Sequence, residues 1–218
     1  MRRVLVAAAA LLVFLSMGTA VLVTGQTGVP AEAIANAVTR SPDLLARAWQ
    51  LPVARTFKTE VIFQSNPSTC GPASVANVFR SVGEKGMTEA AVLEGTGRCW
   101  TGFCIMGLTL DELAGVARQH TDRNVTVIRG ISAEEFFDHM RHSNDPDRRY
   151  IINFTRNTIF GDGAGHFSPI AGYLAEADMV FVLDVNEDYR PWLVERERLF
   201  SAMDTFDGDK KRGLLLIQ

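Results

Sequence analysis

The order of helix-like and strand-like patterns along the chain is the feature that most restricts its fold. Capping boxes that begin at Thr109 and Ser132 precede apolar residues at helical spacing, which predicts helices near residues 110–119 and 133–142. Apolar runs typical of strands come later, at residues 150–154, 167–173, 179–185 and 214–217. Helices followed by antiparallel strands predict an α+β domain, with a helical N-terminal half packed on an antiparallel sheet.

The domain organisation follows from the same patterns and from the length. Residues 29–57 are expected to form a helical lead-in, and a further helix is expected to open at Gly71-Pro72, because proline is tolerated in a first helical turn. The economical organisation is a leading segment over residues 1–28 and one domain over residues 29–218. A chain of 218 residues can bury one sizeable core without a disulfide or a metal.

The charge balance excludes one class of function. The chain carries 22 Lys and Arg against 25 Asp and Glu, a formal net charge of −3. A nucleic-acid-binding domain is expected to show a basic excess, so the sequence argues against nucleic acid as a partner.

The first 28 residues have the pattern of an export signal. Arg2 and Arg3 precede an uncharged apolar run over residues 4–23. The run is long for a cleaved signal peptide and just long enough for a spanning helix, which needs about 20 residues. Gly18 and Ala20 offer a cleavage site, so signal peptide and membrane anchor both stay open. Either one predicts an exported bacterial protein, periplasmic or anchored in the inner membrane.

Cys70 is the candidate nucleophile. It stands where a loop enters a predicted helix, so unpaired backbone N–H groups and the helix dipole can stabilise a thiolate. The same N–H groups can receive a developing oxyanion, and the side-chain amide of Gln64, six residues upstream, can reach the same place. A cysteine at a helix start is by itself more often a small buried residue than a nucleophile. The assignment of Cys70 as a nucleophile therefore depends on whether the chain offers a base and an orienting acid.

His166 and Asp184 are the candidate partners. A glycine-rich loop over residues 161–165 delivers His166 to the start of a predicted strand. If the following turn centres near residue 176, Asp184 falls roughly opposite residue 168, close enough for an imidazole–carboxylate hydrogen bond across a twisted strand pair. A carboxylate on one ring nitrogen would leave the other nitrogen to face Cys70, which is the logic of a nucleophile, a base and an orienting acid.

Several strings resemble the phytochelatin synthase family. They lie at residues 63–65, 70–74, 165–173, 183–185, 191–192 and 211–213. The similarity covers roughly residues 45–218, and the string at 165–173 is highly specific. The resemblance implies a papain-like cysteine protease fold. It also implies an enzyme that attacks the amide between the cysteine and glycine of glutathione, releases glycine and holds γ-Glu-Cys as a thioester.

The resemblance also assigns residues. It makes Cys70, His166 and Asp184 the catalytic triad and Gln64 the oxyanion residue, and it places Asn153, Arg156 and Arg212 in contact with the substrate. Arginines suit the two carboxylates of glutathione, although ordinary solvated surface charges are the alternative for both. The chain resembles the short prokaryotic form, without the cysteine-rich C-terminal domain of plant members. In that form hydrolysis of glutathione competes with peptide transfer, so the acceptor stays open between water and a second glutathione.

Cofactors and further partners are less constrained. No tightly bound cofactor and no metal site on the protein are expected, and Cd²⁺ or Zn²⁺ would act as an activator through its glutathione complex. Cys99 and Cys104 have no nearby histidine to complete a zinc site, so a disulfide or two free thiols are favoured. His139 and His142 share a predicted helix, and a solvated helix face is the favoured interpretation. The oligomeric state stays open, with a homodimer as one alternative.

Two other functions compete with the glutathione enzyme. The first is a papain-like peptidase of the leader-peptidase type, which would act on ordinary α-linked peptides. The second is a non-enzymatic periplasmic protein that binds soft metals through Cys70, Cys99 and Cys104.

Overall fold

The structure is a computed structural model that describes residues 29–57, 60–99, 102, 104 and 107–218. Within it, Ala31–Gln218 forms one unit with its own core. The predicted export or anchor segment, residues 1–28, lies outside the described residues. Among the described helices, none combines the length and the apolar composition that a membrane crossing requires.

The lead-in and the first core helix form where the sequence predicts them. Helices α1 (Ala31–Ala37) and α2 (Pro42–Ala48) are followed by a 3-10 turn at Ala54–Phe57. The helix expected at Gly71-Pro72 is α3 (Cys70–Ser81), and a short helix α4 (Glu89–Leu93) comes after it.

Both capping boxes are confirmed. Helices α5 (Leu110–Arg118) and α6 (Ala133–Arg141) begin directly after Thr109 and Ser132. In each box the hydroxyl accepts from the backbone N–H three residues on, and the glutamate there accepts from the backbone N–H of the cap residue. The reciprocal hydrogen bonds satisfy N–H groups that the helix itself cannot pair, which fixes where each helix starts.

The strands form one large antiparallel sheet and a small hairpin. In chain order they are β1 (Val125–Arg129), β2 (Arg149–Thr155), β3 (Gly165–Leu174), β4 (Met179–Val182), β5 (Trp192–Glu195), β6 (Phe206–Asp207), β7 (Lys210–Lys211) and β8 (Gly213–Ile217). The large sheet has the order β1-β8-β2-β3-β4-β5, and β6 pairs with β7.

The sequence prediction of this half was incomplete. It missed the β6–β7 hairpin and the two edge strands of the large sheet, β1 and β5. These strands are short, and the edge strands carry polar residues such as Thr126 and Glu195. The helices also do not all precede the strands, because α7 (Arg156–Phe160) and α8 (Arg196–Met203) lie between them. The α+β class itself is confirmed.

Helix α3 is the centre of the core. All its residues except Arg80 are buried, and it packs on β3 and β2. Small residues make the close approach feasible. A side chain at Gly71 would bring its Cβ to 3.0 Å from Leu113 and 3.6 Å from Phe167. The N-terminal end of α3, where Cys70 stands, is therefore held directly against the start of β3.

The pairing of β3 with β4 agrees with the predicted turn. A 3-10 turn at Ala175–Ala177 joins the two strands, and Ile170 pairs with Val182 after a one-residue shift next to Gly172. Strand β4 ends earlier than predicted, but the Leu183 N–H still donates to the Pro169 carbonyl at 2.9 Å. Asp184, the next residue, is thus brought alongside the start of β3.

Candidate active site

Cys70 occupies the first position of α3 and is 8% exposed. Burial by itself raises the pKa of the thiol. The charge and hydrogen bond of His166, the backbone N–H of Phe167 and the Arg156 guanidinium outweigh that effect and hold the pKa of Cys70 below its ordinary value. The site therefore favours a thiolate at the N-terminus of a helix.

His166 connects Cys70 to Asp184. Its Nε2 lies 2.9 Å from Oδ1 of Asp184, and the two residues are 2% and 0% exposed. With Nε2 engaged, Nδ1 is the ring nitrogen left for the sulfur. Burial and Arg156 lower the pKa of His166, but Asp184 and Cys70 together raise it above its ordinary value. The arrangement favours an imidazolium–thiolate pair.

Asp184 is buried and fully hydrogen-bonded. Its Oδ1 accepts from the backbone N–H of Asn186 at 2.9 Å, and its Oδ2 accepts from the indole N–H of Trp192 at 3.2 Å. Burial alone would raise the pKa of the carboxyl, but His166, Arg156 and the Asn186 N–H lower it to about 2. The carboxylate is thus ionised at neutral pH and fixed in orientation.

Trp192 is a site residue to which sequence reasoning assigned no role. It begins β5, is 0% exposed, and its ring packs edge-on against Phe154, which in turn packs edge-on against His166. The one signal in the sequence was that Trp192 belongs to a string that resembles the family. Its contact with Asp184 could not be predicted, because the indole reaches the carboxylate only through the pairing of β4 with β5.

Arg156, predicted to contact substrate, lies beside the His166–Asp184 pair. Its Nη2 is 3.0 Å from Nε2 of His166 and 3.2 Å from Oδ1 of Asp184. Its guanidinium carbon lies 4.0 Å from the centre of the Tyr189 ring, and the side chain is 13% exposed. Its charge supports both the carboxylate and the thiolate.

Gln64 lies in the loop that leads to Cys70. Its backbone N–H donates to the Val185 carbonyl at 2.7 Å, which ties this loop to the segment that carries Asp184. Its side-chain amide donates one hydrogen to the Asn66 carbonyl at 2.8 Å, while its Oε1 is buried without a partner. The amide nitrogen has a second hydrogen, so the group can still donate to an oxyanion.

Asn153 and Arg212 meet at a residue that the sequence did not single out, Asp207 in the β6–β7 hairpin. The Asn153 amide donates to its Oδ2 and Arg212 donates to its Oδ1, both at 3.2 Å. Gly165 makes room for the arginine, since a Cβ there would lie 2.7 Å from Nη2. The arginine therefore lies against the backbone directly before His166.

A charged cleft of about 130 Å³ opens next to this group. Asn153 and Asp207 form part of its wall, together with Asp111, Arg129 and Lys210, which are paired with one another. An acid, an amide and basic groups at one cleft suit a ligand that carries both an ammonium and a carboxylate group.

Cys99, Cys104, His139 and His142 are not members of the Cys70–His166–Asp184 series. Cys99 and Cys104 form a disulfide, which leaves Cys70 as the free cysteine of the chain. His139 contacts the Tyr150 hydroxyl at 3.2 Å, whereas His142 contacts the Asp138 carbonyl, so the two rings do not share a ligand. Within the described part of the chain, no group of three His, Cys, Asp or Glu residues is arranged to hold a metal ion.

Comparison with known proteins identifies the family of the chain. The family model described as phytochelatin synthase matches residues 24–214. The chain belongs to the phytochelatin synthase family.

Among curated relatives, glutathione gamma-glutamylcysteinyltransferase 3 of Lotus japonicus is 30% identical over 178 residues, which is 71% of this chain and 35% of the relative. Glutathione gamma-glutamylcysteinyltransferase 2 of Arabidopsis thaliana is 29% identical over 180 residues, 71% of this chain and 37% of the relative. The chain thus spans about a third of the length of these phytochelatin synthase relatives.

Solved structures show the fold. A putative C39-like peptidase from Bacillus anthracis matches with a TM-score of 0.54 and 13% identity, over 74% of this chain and 96% of that one. The peptidase domain of Streptococcus ComA matches with a TM-score of 0.51 and 17% identity, over 72% and 96%. The predicted papain-like architecture of this phytochelatin synthase family member is confirmed.

Proposed function

We propose that this protein is a cysteine-dependent acyltransferase or hydrolase that acts on glutathione. The observation that carries the proposal is the buried series Cys70–His166–Asp184 at the N-terminus of α3, in a chain of the phytochelatin synthase family. The relatives named above are gamma-glutamylcysteinyltransferases, and their names supply the substrate class.

Acylation uses the imidazolium–thiolate pair. The Cys70 thiolate attacks the carbonyl carbon of the Cys–Gly amide of glutathione, and the carbonyl oxygen becomes an oxyanion. The second amide hydrogen of Gln64 and the backbone N–H groups at the start of α3 stabilise that charge. His166 gives its proton to the departing glycine nitrogen, which leaves γ-Glu-Cys as a thioester on Cys70.

The acyl half of the substrate is proposed to bind near Asp207. The γ-glutamyl end of glutathione carries an α-ammonium and an α-carboxylate. Asp207 can accept from the ammonium, while Arg212 and Asn153 can donate to the carboxylate, so these three residues distinguish a γ-glutamyl group from an ordinary peptide. This geometry supports Asn153 and Arg212 as substrate contacts, and the position of Arg156 supports a role beside the triad.

Deacylation completes the reaction. Neutral His166 takes a proton from the acceptor, which attacks the thioester carbonyl and frees the Cys70 thiolate. Water as acceptor gives γ-Glu-Cys, and the α-amino group of a second glutathione gives γ-Glu-Cys-γ-Glu-Cys-Gly, a phytochelatin. We propose that Cd²⁺ or Zn²⁺ acts on the acceptor side, because thiolates bind these soft ions and a metal–glutathione complex would carry the acceptor amine.

The location of the enzyme is a separate proposal. Arg2, Arg3 and the apolar run over residues 4–23 support export across the inner membrane, with the segment either cleaved or kept as an anchor. Mass measurement of the protein recovered from a membrane fraction and from a soluble periplasmic fraction tests this. A full-length chain found in the cytoplasm would contradict it.

The function is tested with the purified full chain and glutathione, with and without Cd²⁺, read by mass spectrometry. Cys70→Ser serves as the control and is expected to abolish turnover. Free γ-Glu-Cys identifies a hydrolase, and the γ-Glu-Cys-γ-Glu-Cys-Gly product identifies a synthase. Unchanged glutathione with folded protein would reject the proposal. Cleavage of α-linked peptides or binding of cadmium that needs all three cysteines would then favour one of the competing functions.

A further inference from the structure

The disulfide lies against the loop that leads to the nucleophile. We call residues 64–69 the oxyanion loop, and Cys99, Gly102 and Cys104 the disulfide loop. The Cys104 backbone N–H donates to Oγ of Ser68 at 3.0 Å. The Asn66 side-chain amide donates to the Gly102 carbonyl at 3.1 Å. Two hydrogen bonds thus join the disulfide loop to residues that immediately precede Cys70 in the chain.

Asn66 connects this contact to the rest of the oxyanion loop. Its Oδ1 accepts from the backbone N–H and the hydroxyl of Ser68, at 3.1 and 2.6 Å. Its carbonyl accepts from the Gln64 amide at 2.8 Å and from the Thr69 hydroxyl at 3.1 Å. The orientation of the Gln64 side chain therefore depends on where Asn66 is held.

Other anchors hold the two ends of the oxyanion loop. The Gln64 N–H is bonded to the Val185 carbonyl, and the Ser65 N–H is bonded to the Glu89 carboxylate at 3.0 Å. The loop has no helical or strand hydrogen-bond ladder between residues 64 and 69. At the end of the loop, the N–H of buried Thr69 donates to the Asn66 carbonyl at 3.3 Å, and the Asn66 N–H donates to Oγ1 of Thr69 at 3.4 Å. The Asn66 amide and the Ser68 hydroxyl are held from outside the loop by Gly102 and Cys104.

We propose that the Cys99–Cys104 disulfide is a positioning element of the active site. It fixes Gly102 and Cys104 so that they hold Asn66 and Ser68, and through Asn66 it orients the amide of Gln64. The bridge closes a loop with a sequence separation of 5, which restricts the backbone on which both contacts depend. The inference rests on the proposed function, because it gives Gln64 the role of an oxyanion donor.

The first test needs no substrate. Dithiothreitol reduces the disulfide to two thiols and is itself oxidised to a cyclic disulfide, and Cys70 is the one other cysteine of the chain. Hydrogen exchange of the full chain is measured by mass spectrometry before and after reduction. Amides over residues 64–70 are expected to exchange about tenfold faster after reduction, because local opening becomes easier, while those of α8 stay unchanged. Unchanged exchange over residues 64–70 would overturn the proposal.

The second test asks whether the disulfide affects catalysis through the orientation of the Gln64 amide. Reduction, or the double variant Cys99→Ser with Cys104→Ser, is expected to lower kcat for glutathione about tenfold and leave KM within about twofold, since the oxyanion forms only during reaction. In a Gln64→Ala background the same change should have no further effect, which is the sign of a shared pathway. An equal loss of kcat in that background would overturn the route through Gln64.

The outcomes separate the two proposals. If the oxidised wild type does not turn over glutathione, the proposed function fails, and the exchange measurement still decides whether the disulfide positions the oxyanion loop. Reoxidation of the reduced wild type should restore slow exchange and kcat together. That reversal distinguishes positioning from unfolding of a variant, because no residue has been replaced.

Discussion

The two sides of the candidate active site are built differently. On the sheet side, His166, Asp184 and Trp192 are 2%, 0% and 0% exposed, and strand pairing sets their positions. On the loop side, Gln64 and Asn66 are half-buried and are held by hydrogen bonds between loops. The proposed base and its orienting acid are therefore part of the core, whereas the proposed oxyanion donor, Gln64, depends on hydrogen bonds between loops, which reduction of the Cys99–Cys104 disulfide would weaken.

The largest effect is expected on the sheet side. Asp184→Asn keeps the size of the side chain but removes the charge that stabilises the His166 imidazolium. We expect kcat to fall about 10³-fold with little change in KM, as for other triad acids. Steady-state kinetics on glutathione checks this. A loss smaller than about tenfold would mean that the carboxylate does not orient the base.

The loop side is expected to matter less. Gln64→Ala removes one oxyanion donor while the backbone N–H groups of α3 remain, so kcat should fall about 10²-fold at unchanged KM. Gln50→Ala is the matched control, since Gln50 is exposed and contacts Arg55. If both variants behave alike, Gln64 is not an oxyanion donor.

The pH dependence of stability should report the buried carboxylate. The pKa of Asp184 is lowered from 3.8 to about 2 in the folded protein, so its stabilisation is complete above about pH 4 and is lost as the pH falls towards 2. Its contribution should be about 2 kcal/mol. Chemical denaturation at several pH values from 5 to 2 checks this, with Asp184→Asn as the comparison. Parallel curves for the wild type and the variant would contradict it.

The smallest effect is expected when the indole N–H of Trp192, which donates to Asp184, is removed. Trp192→Phe keeps an aromatic ring in the core but removes the N–H that donates to the carboxylate, and should lower kcat about fivefold to tenfold. Without this N–H, Asp184 stabilises the His166 imidazolium less well, so the pH range over which Cys70 is a thiolate should narrow. This range is measured as the pH values at which iodoacetamide alkylates Cys70 rapidly. Trp49→Phe is the control, as Trp49 packs on Phe181 in the core. Equal profiles for the two variants would show that the indole N–H has no positioning role.

Much of the fold could be read from local patterns. The capping boxes at Thr109 and Ser132 and the proline after Gly71 act within one helical turn, so their effects are visible in the sequence alone. The edge strands β1 and β5 could not be read in this way. They are short, and their strand conformation depends on the neighbours with which they pair.

The candidate active site could also be predicted only in part, because some of its features are local in the sequence and others are contacts between distant segments. Cys70 at a helix start and His166 after a glycine-rich loop are local features, and the spacing of β3 and β4 was enough to place Asp184 near His166. The contacts of Arg156 with the His166–Asp184 pair, and of Asp207 with Asn153 and Arg212, join elements that no spacing relates.

The amino-acid sequence alone predicted the helical lead-in, helices α3, α5 and α6, the central strands, the family and the residues expected to react, but not helices α4, α7 and α8. Each of these predictions depends on patterns that extend over a few residues or on strings shared with relatives. The groups that hold these residues are seen only in the folded chain: Trp192 donates to Asp184, Arg212 donates to Asp207, and Asn66 donates to the disulfide loop. Apolar periodicity shows which face of an element is buried, but a hydrogen bond between two distant segments depends on how those elements are packed together and leaves no pattern in the sequence.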